Sequence, residues 1–151
     1  MPLQPGDVAP ELAAENQDGE VVRPSIDGPT VVYFYPRDQT SGCTIEARQF
    51  QHELESYRDA GVAVYGVSTD TVDSHRDFCD AEGIEFDLLA DPDAELADAF
   101  DVDTSRGAAA RTTFVLLDGE IWETYESVSP DGHARDVLGD LLDAGVVEFS
   151  E

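Results

Sequence analysis

The stretch TVVYFYPRDQTSGCTIEARQF, residues 30–50, changes its periodicity halfway along. Its first part, TVVYFYP (30–36), is an unbroken apolar run of β-branched and aromatic residues. A central parallel strand, buried on both faces, reads this way. Beyond the turn residues the pattern becomes helical. Ala47, Phe50, Leu54 and Tyr57 recur at spacings of three, four and three, drawing one apolar stripe that Gly61 closes. A buried strand that feeds straight into a helix calls for a second strand beside the first, and VAVYGVS (62–68) supplies it.

The rest of the chain repeats that grammar. TVDSHRDFCDAEG (71–83) predicts a helix closed by glycine, FDLLAD (86–91) a short strand and DAELADAF (93–100) a short helix. TTFVLL (112–117) and EIWETYESV (120–128) flank Asp118-Gly119, a two-residue hairpin signal. Ala134, Val137, Leu138, Leu141 and Leu142 share one face of a closing helix, and EVVR (20–23) is a short strand in an opening segment rich in Pro and Gly. No internal repeat or interdomain linker interrupts the order. We expect one domain over residues 1–151: α/β, with a thioredoxin-like fold and a central mixed sheet flanked by helices.

Charge narrows the partners. The 151 residues include 34 Asp and Glu against 8 basic residues, all arginine, for a net charge of -26. So few cations cannot assemble a basic patch, which excludes nucleic acid as a partner. The acids are spread along the chain rather than gathered in a tail, a pattern that suits a protein living in concentrated salt, where self-repulsion is screened. The longest unbroken apolar run, VVYFY (31–35), is far too short to span a membrane, and no basic leader opens the sequence. The expectation is a cytoplasmic protein, in which two cysteines read as catalytic or incidental before they read as a structural staple.

Cys43 falls in the first turn of the helix after the first central strand, and the carboxyl end of such a strand is where α/β sheets place their sites. Unpaired N–H groups of a first helical turn and the helix dipole both favour a negative charge on its sulfur. Thr40 stands three residues earlier, within reach of that sulfur, and Gly42 leaves room for a small ligand. These features leave Cys43 open between a site and a small core residue.

Pro36, Thr40 and Cys43 form P-x-x-x-T-x-x-C directly after the strand, which resembles the active-site signature of the peroxiredoxins. The longer string VVYFYPRDQTSGCTIEA resembles the peroxiredoxin Q, or bacterioferritin comigratory protein, subfamily. PGDVAPEL (5–12), YGVSTDTVDSHRDF (65–78), ARTTFVLLDGEI (110–121) and SPDGHARDVL (129–138) extend the likeness over nearly the whole chain. The resemblance implies that Cys43 is the peroxidatic cysteine, whose thiolate attacks a hydroperoxide and becomes a sulfenic acid. It implies that Thr40 bonds the substrate's oxygen and that Arg111 stabilises the thiolate and the leaving oxygen. Pro36 would shield the sulfur, the N–H groups of Gly42 and Cys43 would complete the cradle, and Glu46 would have a positional role. No metal or other cofactor is implied, and a thioredoxin-type dithiol would supply electrons to a monomer.

Many members of that subfamily carry a resolving cysteine five residues after the peroxidatic one, where this chain has Arg48. Others place it in the next helix, which makes Cys79 in SHRDFCDAEG the candidate; Phe78 and Val72 equally suit a core role for it. A disulfide needs Cα atoms within about 7 Å, so two thiols on different helices predict unwinding of the turn around Cys43. His75 and Cys79 have a metal-ligand spacing on a helix, but two ligands make no site. His133 reads as a cap or packing residue. The alternatives are a one-cysteine peroxidase resolved by an external thiol, a thiol redox sensor without catalysis, and a thioredoxin-like oxidoreductase. The last lacks its Cys-x-x-Cys, since Thr44, Ile45 and Glu46 follow Cys43. A cysteine hydrolase would need His52, His75 or His133 beside the sulfur.

Overall fold

Alternation along the first central strand sorts the interior into two layers. In the computed structural model, which describes residues 2–148, β3 (Thr30–Phe34) is buried along its whole length. Val31, Tyr33 and Tyr35 point into one core cluster, and Val32 and Phe34 into the other, as the two-residue period of a strand requires. β4 (Ala63–Ser68) and β5 (Asp87–Ala90) lie parallel to β3 on one side; on the other, β6 (Thr112–Leu117) runs antiparallel to β3, and β7 (Glu120–Tyr125) antiparallel to β6. The sheet order is β5-β4-β3-β6-β7.

Helices cover both faces. On the Tyr33 side sit α1 (Ser41–His52), α2 (Leu54–Asp59), α3 (Val72–Glu82) and α5 (His133–Asp143); α4 (Glu95–Ala99) lies against the Phe34 side. A small hairpin of β1 (Ala14–Glu15) and β2 (Val21–Val22) precedes β3. This is the mixed α/β architecture of a thioredoxin-like fold, as expected. No helix among the described residues is long and apolar enough to cross a membrane.

Local chemistry accounts for most element ends. The Thr71 hydroxyl accepts from the Ser74 N–H to open α3, and Gly83, at φ 67°, closes it. Asp118 and Gly119, at φ 54° and 77°, make the turn that a two-residue hairpin needs. One expectation is corrected: the helix drawn from Ala47 to Gly61 is two helices. Glu53, at φ -90° and ψ 1°, interrupts it, yet Ala47, Phe50, Leu54 and Tyr57 all stay buried. Packing of the stripe, not an unbroken hydrogen-bond ladder, is what that periodicity encodes.

Both sheet edges are covered by the opening segment. The Gln17 amide accepts from the Leu88 N–H at 3.0 Å and donates to the Phe86 carbonyl at 3.3 Å, satisfying the open side of β5. The Ile121 N–H donates to Asp7 and its carbonyl accepts from Gly6, each at 2.9 Å, along β7. Covered edges offer no template for pairing with another chain.

Candidate active site

Register brings the site together. Phe34 at the end of β3 pairs with Thr112 at the start of β6, so Arg111 arrives where the chain leaves β3 for α1. That connection carries Pro36, turns at Gln39 (φ 60°) and reaches Thr40, the N-cap of α1 in extended conformation. Cys43 follows in the first helical turn and is 1% exposed.

Arg111 holds two groups at once. Nη2 donates to Cys43 Sγ at 3.4 Å, and Nη1 donates to Glu46 Oε1 at 2.8 Å. Cys43 and Glu46 are three residues apart on α1 and so share a face. One planar guanidinium therefore spans both, and its fixed fork sets its angle at the sulfur. Burial works against the Arg111 charge, but Cys43 and Glu46 outweigh it and raise its pKa. Burial pushes the Glu46 carboxyl up to about 7 even though Arg111 pulls it down. Its second oxygen, Oε2, is buried without a hydrogen-bond partner among the described residues.

Two expectations change in detail. The sequence assigns Gly42 to clearance for a ligand, but a Cβ there would stand 3.1 Å from Arg111 Nη2 and 3.5 Å from Pro130 Cγ. The missing side chain makes way for the arginine. Thr40 is exposed, and its hydroxyl donates to the Arg37 carbonyl at 2.9 Å rather than to the sulfur. With its proton so directed, its lone pairs remain to accept from an incoming group. Pro36 and Arg111 line a cleft of about 540 Å³ with Asp103, Arg106 and Ser127; Cys43 lies outside that lining.

Cys79 stands on α3 in the same core layer as Cys43, and both are free thiols. It is 7% exposed, and burial, reinforced by Asp38 and Asp80, pushes its thiol up to about 12. Tyr33 belongs to that layer too. Its hydroxyl has no partner among the described residues, and burial, then the charges of Glu46, Cys43 and Cys79, hold its pKa well above the usual range. Arg48, where a nearby resolving cysteine would sit, instead bonds Glu82 of α3.

No histidine among the described residues hydrogen-bonds Cys43. His52 is exposed at the end of α1. His133 opens α5, bonds Thr113 Oγ1 at 2.8 Å and packs against Phe50 and Tyr125, with burial lowering its pKa to about 4. His75 is wholly buried against Asp38, at 2.7 Å. The sequence reading missed Asp38, and assigned Tyr33 and Arg106 no part near the site. The pairing of Asp38 with His75 spans 37 positions and leaves no local pattern.

Comparison with known proteins matches residues 5–122 to the AhpC/TSA family. The chain is 39% identical over 119 residues to a protein named Peroxiredoxin Bcp from Xanthomonas campestris pv. campestris, covering 74% of each. Among solved structures, peroxidoxin BcpB from Mycobacterium tuberculosis superimposes with a TM-score of 0.86 at 31% identity, over 93% of this chain and 97% of that one. A Xanthomonas campestris bacterioferritin comigratory protein, solved in a study of its alkyl peroxide reduction activity, gives a TM-score of 0.81 at 33% identity, over 88% and 91%.

Proposed function

The chain belongs to the AhpC/TSA family, and from that premise we propose that it is a thiol-dependent peroxidase in which Cys43 is the attacking thiol. The observation that carries this reading is the buried Cys43 sulfur with the Arg111 guanidinium aimed at it, and Arg111 itself locked by Glu46. A cation donating to sulfur stabilises thiolate over thiol, and the thiolate is the nucleophile.

The Cys43 sulfur attacks the nearer oxygen of a hydroperoxide. The S–O bond forms as the O–O bond breaks; sulfur is oxidised to a sulfenic acid, and the far oxygen takes a proton and leaves as water or an alcohol. Arg111 and the first-turn N–H groups of Gly42 and Cys43 stabilise the charge that develops, while Thr40 accepts from the peroxide. Pro36 walls the approach. The Cys79 thiol then displaces water from the sulfenic acid to form a disulfide, which a thioredoxin-type dithiol reduces. Hydrogen peroxide and organic hydroperoxides are the substrate class, in keeping with the alkyl peroxide reduction of the Xanthomonas relative. The enzyme works as a cytoplasmic monomer and needs no metal or organic cofactor.

A second reading keeps Cys43 but resolves it with an external thiol; the burial of Cys79 and its raised pKa favour that one. Intact mass after one equivalent of hydrogen peroxide decides between them. Loss of two hydrogens supports the internal disulfide, and gain of one oxygen supports the one-cysteine enzyme. The Cys43→Ser variant should consume no peroxide; undiminished consumption by that variant would sink both.

A further inference from the structure

Two buried titratable side chains beside the site have no role in the chemistry above. Asp38 lies in the connection between β3 and α1, five residues before Cys43, and His75 lies on α3, one turn before Cys79. Their side chains are 2% and 0% exposed, with Nδ1 2.7 Å from Oδ2. His75 Nε2 faces the Leu89 carbonyl at 3.0 Å. A carboxyl group on one side and a carbonyl on the other thus engage both ring nitrogens.

Asp38 is held from every side. Its Oδ2 also accepts from Ser74 Oγ at 2.8 Å, and its Oδ1 accepts from the Tyr35 hydroxyl at 2.5 Å. Its backbone N–H donates to Asp70 Oδ2 at 2.7 Å, and Ser68 Oγ donates to that same oxygen. Asp38, Asp70 and His75 gather donor atoms within 4.8 Å, but hydrogen bonds already engage each of them, which makes the cluster a fastening rather than an ion site. It fastens the loop that leads to one cysteine onto the helix that carries the other.

We propose that the Asp38–His75 pair is a fixed pivot for disulfide closure: it stays shut while the segment beyond it unwinds and carries Cys43 to Cys79. The proposal rests on the two-cysteine reading given above. Its geometry is favourable. Five residues reach about 17 Å when extended. His75 and Cys79 are separated by one helical turn, a rise of about 6 Å. A disulfide asks only that Cα atoms come within about 7 Å. Uncoiling residues 40–43 is therefore enough, and the pair need not break. Gln39, immediately beyond the pivot, holds φ at 60°, a left-handed conformation that costs a non-glycine residue and is released on unwinding.

A pinned tether of five residues confines Cys43 to a small volume around α3, which raises its effective concentration for Cys79. The step itself is balanced: the Cys79 thiol gives its proton, the sulfenic acid gives its hydroxyl, and water leaves as the S–S bond forms. Asp38 and His75 act here as positioning residues.

Rapid-quench intact mass separates the steps, because Cys43 oxidation adds one oxygen and closure then removes water. In Asp38→Asn and in His75→Gln, closure should slow about tenfold or more. The share of sulfinic product under excess peroxide should rise, while the first step changes less. A role confined to holding the fold would slow both steps alike, and that result, or unchanged closure, overturns the pivot. The unmodified protein gives a check that does not depend on how the variants fold. Its His75 ring nitrogen signals should coincide in the reduced and disulfide forms, and signals of a released ring in the disulfide form would overturn the proposal. If the unmodified protein forms no internal disulfide, the two-cysteine reading falls and takes the pivot with it. If it does, and the variants close as fast, the pivot alone falls.

Discussion

Glu46 makes one hydrogen bond to Arg111 where a carboxylate has room for several, and its other oxygen is enclosed with no partner among the described residues. Burial lifts its pKa from an ordinary 4.5 to about 7, against the pull of Arg111. The native state therefore holds that proton more tightly than the unfolded chain does. The contribution to stability is complete below about 4.5 and is lost as the pH rises through about 7. A Glu46→Gln variant, which mimics the protonated form, should not share that loss. Between pH 4.5 and 7 the stability gap should move in the variant's favour by on the order of 3 kcal/mol, as read by urea unfolding at fixed salt. A gap that does not move with pH would mean that Arg111 keeps Glu46 ionised throughout. Sequence reading found Glu46 and assigned it a positional part; its titration depends on what encloses it, which no spacing reveals. The same holds for Gly42. The residue was legible, but its reason, the nearness of an arginine 69 positions away, belongs to the folded chain.

Elements were legible where one segment dictates its own shape. The β3 run, the glycine after α3 and the Asp118-Gly119 turn carry their conformations in adjacent residues. The interruption at Glu53 was not legible, because the apolar stripe continues across it. Nor was the fastening of the β3–α1 connection to α3, which needs partners from four separate places in the chain. Neighbouring strands impose one more constraint of this kind. Gly66 of β4 sits between Tyr33 of β3 and Leu88 of β5 in register. A Cβ at Gly66 would lie 2.7 Å from Leu88 Cδ2 and 2.9 Å from Tyr33 Cζ. Leu88 has some freedom to turn away, but the Tyr33 ring is stacked on Phe50 at 4.5 Å. Gly66→Ala should cost about 1–3 kcal/mol by overpacking. Urea unfolding measures that directly, and an unchanged midpoint would show that the Tyr33 ring has space to retreat.

For the molecule as a whole, 34 acids face 8 arginines, and the ion pairs of Arg48, Arg58, Arg76 and Arg135 involve side chains 49% to 79% exposed on the arginine side. Such pairs contribute about 0–1 kcal/mol each, so they do little to offset the mutual repulsion of the carboxylates. At ~1 M salt the screening length shrinks to about 3 Å and that repulsion fades. Potassium chloride should therefore raise the urea midpoint of unfolding, steeply at first and levelling near ~1 M as screening saturates. A midpoint indifferent to salt would refute the argument from charge. The Arg111–Glu46 pair differs from the rest: its side chains are 17% and 0% exposed, and dissolved ions have little access to it. Peroxide reactivity should accordingly stay level over the salt range in which stability climbs. Surface residues exchanged to suit a different salt concentration should therefore leave the electrostatics at the sulfur as they are, because the pair that sets them lies beneath the exterior.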